Sequence, residues 1–117
     1  MEKVDMRALF QALGDPIRFR IVEILLEKPS VVSELVERTG AAQPNVSRHL
    51  KVLRDSGLLQ ASREGKWIRY AVDPDALRAI GRWSARPAPP AGNPSPPEPG
   101  YRIEKRRDRD AEIFFNR

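Results

Sequence analysis

The apolar residues of this chain change period at Gly57 and back again at Asp73-Pro74, and those changes limit the folds open to it. Before Gly57 they recur every three or four positions, the spacing of one helix face. After it, in "LLQASREGKWIRYAVD", they alternate, the spacing of one sheet face. The pattern predicts a mainly α domain with a small β-hairpin, in the order α-α-α-α-β-β-α.

Punctuation residues place the elements. Met6, Leu9, Phe10 and Leu13 form the first stripe, and Gly14 stops it. Asp15 is placed to cap the second helix, with Pro16 at its first position. Ile17, Ile21, Ile24 and Leu25 are its buried side, and Pro29 ends it. A third helix runs to about Thr39 with Val32, Leu35 and Val36 inward, Ser30 and Ser33 at its start, and Gly40 as its stop. The fourth buries Val46, Leu50 and Leu53, carries Pro44 in its first turn and ends at Gly57. Two strands then flank a turn at Glu64-Gly65, with Ile68, Tyr70 and Val72 inward and Lys66, Trp67 and Arg69 outward. Asp73-Pro74 opens a last helix through Leu77, Ile80 and Trp83.

Composition breaks near residue 86. Seven of the thirteen residues from Pro87 to Pro99 are proline, which favours an extended spacer. The division is therefore a folded unit 1–86, a Pro-rich linker 87–100 and a charged tail 101–117 ending in the apolar group Ile113, Phe114 and Phe115. With one histidine and no cysteine, disulfides, thiolate nucleophiles and Cys-ligated metals are excluded. No base accompanies the serines, so no catalytic residues are expected, and no cofactor. No apolar run reaches the ~18 residues of a membrane span, and the first residues lack an apolar signal region. The expectation is a cytoplasmic, nucleoid-associated protein with no membrane partner. A net charge of +5 favours a polyanionic one.

The charge is concentrated. From Gln43 to Arg69 six Lys/Arg face two acids, a local +4. The third and fourth helices are separated by about four residues, "GAAQ", the length of a helix-turn-helix connection. On the fourth helix Pro44, Arg48, Lys51 and Asp55 lie opposite the apolar stripe, with Asn45 and Ser47 on the flanks. Gln43, Asn45 and Ser47 suit base edges and nearby phosphates, and Arg48 suits guanine or phosphate. Arg63, Lys66 and Arg69 make the hairpin a basic wing. These eight residues are the candidate DNA-binding set. His49 reads as a packing or hydrogen-bonding residue, Trp67 as a covering residue of the wing, and Trp83 as core or dimer interface.

Three segments, "LGDPIRFRIVEIL", "VSELVERTGAAQPNVSRHLKVLRDSGLL" and "REGKWIRYAVD", resemble the ArsR/SmtB-type winged-helix transcriptional repressors across about residues 6 to 83. The resemblance implies a homodimer joined through its first and last helices, by Met6, Leu9, Phe10, Leu13, Leu77, Ile80 and Trp83. It implies a palindromic double-stranded DNA operator in the protein's own promoter region. The chain departs from the family's metal sensors. "SVVSELV" holds no Cys, and "DPDALRAIGRWSAR" holds no His. Asp73 and Asp75 are better read as a helix cap than as cation ligands, so no metal site is expected. Ala42 stands where the family often has Ser or Thr, which removes a helix cap. A small-molecule effector, a protein effector or none are all open. The alternative function is a winged-helix protein-interaction module that uses the C-terminal tail.

Overall fold

A computed structural model of the chain describes residues 4–92. The chain divides after Arg86 into two units, and all the helices and strands described lie in the first. In order these are α1 (Met6–Leu13), α2 (Pro16–Glu27), β1 (Ser30–Val31), α3 (Val32–Thr39), α4 (Gln43–Asp55), β2 (Leu59–Glu64), β3 (Trp67–Val72) and α5 (Pro74–Ser84). This is the helix-rich winged architecture expected, with one added strand. The tail 101–117 and most of the linker lie outside the described residues.

Each helix begins where a side chain or a proline makes a start cheap. The Asp15 carboxylate accepts from Ile17 N (2.9 Å) and Arg18 N (3.1 Å), and Pro16 needs no partner there. Asp73 caps α5 in the same way, accepting from Asp75 N (2.8 Å) and Ala76 N (3.3 Å). In α3 the Glu34 carboxylate reaches back to Val31 N at 2.9 Å. Ser30 is not at that helix start. It is a buried strand residue whose hydroxyl donates to Lys28 O at 3.1 Å. α4 starts on Pro44 alone. Ala42 at its N-cap offers no side-chain acceptor.

Leu9, Ile21, Ile24, Leu35, Val46, Leu50, Leu53 and Leu58 are wholly buried and form one core with Ala12, Leu25 and Ala76. Burying a leucine or isoleucine side chain stabilises by about 1.5–3 kcal/mol. Ile17, Val32, Val36, Tyr70 and Val72 pack on its edge. Ile68, expected inward, is 38% exposed.

β1 was not readable from the sequence. It pairs antiparallel with β3, Ser30 opposite Tyr70 and Val31 opposite Arg69. The sheet order is β1-β3-β2. Glu64 pairs with Trp67, so the turn residues are Gly65 and Lys66, one position later than the sequence suggests. Gly65 takes φ 63°, the left-handed conformation that a two-residue hairpin turn requires.

Candidate nucleic-acid interface

α3 ends at Gly40, whose φ of 75° turns the chain sharply. The Thr39 hydroxyl donates to Leu35 O (2.7 Å) and accepts from Ala41 N (3.1 Å), which closes the corner. Only Gly40, Ala41 and Ala42 separate α3 from α4, since Gln43 is already helical. The turn is thus three residues rather than four. With its core stripe inward, α4 exposes Gln43, Pro44, Ser47, Arg48, Lys51, Arg54 and Asp55. Asn45 is half-buried, and its amide oxygen accepts a hydrogen bond from Arg48. Lys51 Nζ lies 3.2 Å from Asp55, both largely exposed. Such a pair is weak in water and easily exchanged for a phosphate.

The hairpin register separates the wing's bases. Arg63 lies opposite Ile68, and Arg69 opposite Ser62. Directly opposed residues share a face and neighbours along a strand alternate, so Arg63 and Arg69 lie on opposite faces. The bases of the wing therefore do not all share one face. Arg69 is also engaged: its Nε is 3.1 Å from Glu64, and its Nη1 donates to Pro29 O at 3.5 Å. Lys66 Nζ sits 5.9 Å from the centre of the exposed Trp67 ring. Among the described residues Arg63 and Lys66 make no ion pair.

Behind α4 lies a polar cluster whose partners the sequence did not reveal. Arg18 donates from Nε to Ala12 O (2.7 Å), from Nη2 to Gln11 O (3.5 Å) and from Nη1 to Nδ1 of His49 (3.2 Å). His49 Nε2 lies 3.7 Å from the Asp15 carboxylate. The Arg18 backbone N–H holds that carboxyl below its ordinary pKa. Burial opposes this, and the neighbouring His49 ring, the Ile17 N–H and the Arg18 guanidinium reinforce it. Arg38 binds Glu27 at 2.8 Å, lowering the carboxyl and raising the guanidinium, and this joins α3 to α2.

A second, apolar face lies on α1 and α5. Phe10 and Trp83 meet edge to face with ring centres 5.1 Å apart, and both are 39–48% exposed. Arg86 stands 5.8 Å over the Trp83 ring. Leu77 is exposed nearby, while Met6, Leu13 and Ile80 are partly covered by the core. Leu9 has to leave the interface set, because at 0% exposure its side chain is spent inside its own protomer. Sequence reasoning also passed over Val52, which is exposed on the outer flank of α4 beside the polar residues.

A short-turned helix pair with an exposed polar helix and a flanking hairpin defines a winged-helix DNA-binding protein. The sequence comparisons name its family. Residues 15–61 match the model for bacterial regulatory proteins of the arsR family. An uncharacterised HTH-type transcriptional regulator of Methanocaldococcus jannaschii is 35% identical over 82 residues, 68% of this chain and 92% of that protein. The arsenical resistance operon repressor of Escherichia coli is 39% identical over 79 residues, 67% of this chain and 64% of that protein. The structure of a homodimeric winged helix-turn-helix domain from Mycobacterium bovis, a possible ArsR-family regulator, superposes with a TM-score of 0.60. It is 25% identical and spans 68% of this chain and 74% of that one. The chain belongs to the ArsR family: it is a DNA-binding, winged-helix transcriptional repressor and not an enzyme.

The arsenical relative's name does not carry a metal site across. This chain has no cysteine to supply a thiolate. Among the described residues no group of three or more His, Cys, Asp or Glu is placed to hold a metal ion. None of the described helices is long and apolar enough to cross a membrane.

Proposed function

We propose that the protein is a homodimeric repressor that reads a palindromic operator, with α4 of each protomer in a major groove. The observation that carries this reading is α4 itself. Val46, Leu50 and Leu53 are at most 1% exposed, while the opposite side offers a continuous polar surface from Gln43 to Lys51. Any surface helix has a polar outer side; what singles α4 out is that this side follows a three-residue turn from α3 and stands with a basic hairpin, β2–β3. Gln43, Asn45, Ser47 and Arg48 contact base edges from the first two turns, and Lys51 takes a phosphate. Arg63, Lys66 and Arg69 hold the backbone of the adjacent groove from both faces of the wing. The Asn45–Arg48 hydrogen bond presents both side chains together.

Dimerisation through Met6, Phe10, Leu13, Leu77, Ile80 and Trp83 covers the aromatic face. It also sets two recognition helices about one DNA turn apart, near 34 Å. The M. bovis structure, described as homodimeric, supports that assembly. The operator lies in the protein's own promoter region, in the cytoplasm. A thiolate-bound metal is not the inducer, since the sequence has no cysteine.

Arg48→Ala and Lys66→Ala test the division of labour. Arg48→Ala should cost about 1–3 kcal/mol on the operator and relax its sequence preference. Lys66→Ala should weaken operator and random DNA alike and lower the salt slope by about one. Identical losses on both duplexes for both variants would contradict these roles.

A further inference from the structure

The polar cluster behind α4 has a chemistry of its own. A guanidinium has only donors, so Nδ1 of His49 must be the acceptor of the 3.2 Å bond from Arg18. That fixes the tautomer: the ring proton of neutral His49 is on Nε2, facing Asp15 at 3.7 Å. The same guanidinium takes the carbonyls of Gln11 and Ala12, the C-terminal end of α1, where a cation is favoured. Asp15 starts α2 and faces the same ring. Both partners of His49 thus come from the α1–α2 junction, while His49 sits on the flank of α4, one residue after Arg48. The ring side chain is 18% exposed, so the bond is shielded and directional.

We propose that Arg18 and His49 are positioning residues for DNA recognition. The α1–α2 junction clasps the flank of α4 and sets the rotation of the recognition helix relative to α1. Val46, Leu50 and Leu53 seat α4 on the core, where it meets α1, α2, α3 and β2. The Arg18–His49 hydrogen bond adds a directional contact on the helix flank, next to the residues that face outward. Because α1 also carries the dimer face, the clasp links the spacing of the two protomers to the angle at which each helix meets its half-site. This rests on the reading of α4 as the recognition helix.

The test uses the full chain and a duplex that the wild-type protein selects from a randomised library, beside a random duplex. His49→Asn places Oδ1 where Nδ1 stands and keeps an acceptor for Arg18. His49→Leu keeps bulk and removes it. His49→Leu should lose about tenfold in affinity for the selected duplex, His49→Asn no more than about threefold, and random-duplex affinity should barely change. Equal losses on both duplexes, or none for His49→Leu, would overturn the proposal. Failure of the wild type to prefer any duplex would overturn the reading of α4, and the proposal with it. With one histidine in the chain, nitrogen NMR gives an independent readout that needs no DNA. Nδ1 should be unprotonated, with a signal that moves in Arg18→Met. A protonated Nδ1, or a signal indifferent to Arg18, would overturn the clasp.

Discussion

Asp15 is one carboxylate with two tasks, capping α2 and facing His49. Its pKa is lowered on folding, so its contribution is complete above the unfolded value of 3.8 and is lost as pH falls through the lower folded value. Asp15→Ala should therefore unfold at lower urea than the wild type at neutral pH, with the gap narrowing below about pH 4. A gap that does not change with pH would show that the charge contributes nothing. The cap itself was legible, because Asp before Pro at a helix start is a local signal. The partners of His49 were not, because Arg18 lies 31 residues away and no local pattern links them. Leu9 shows the converse limit. Its stripe marked it as apolar-facing, but a stripe does not say whether its own core or a second protomer covers it.

The helices were read nearly to the residue, because Gly14, Gly40, Asp15-Pro16 and Asp73-Pro74 stop or start them by local chemistry. β1 was missed since two residues have no period, and its partner is a strand some 40 positions on. The wing's turn lies one position later than its sequence suggests, which leaves the faces unchanged: Arg63 and Arg69 point to opposite sides in either register. The weak point of the recognition element is its uncapped start. Ala42 already has the extended backbone of an N-cap, φ −66° and ψ 149°. Ala42→Ser should therefore stabilise the domain by about 1 kcal/mol, seen as a melting point roughly 4–8 °C higher. An unchanged or lower melting point would mean that water or the turn already satisfies those N–H groups.

At the scale of the molecule, function needs two surfaces at once: a polar one on α4 and the wing, and an apolar one on α1 and α5. The fold was legible from the change of period. The pairing of protomers rested on family resemblance and on exposed aromatics, and these do not specify geometry. Trp83→Glu should place a charge in the Phe10–Trp83 contact, shift the protein to monomer in sedimentation and weaken operator binding by about tenfold or more. A variant that stays dimeric would place the interface elsewhere. The most direct measurement is a titration of the full chain against its own upstream DNA and a scrambled duplex, at two salt concentrations, with the stoichiometry determined. The account predicts a preference of about 10³ or more for the upstream DNA, saturating at one dimer per site. Equal and steeply salt-dependent binding to both duplexes would contradict it.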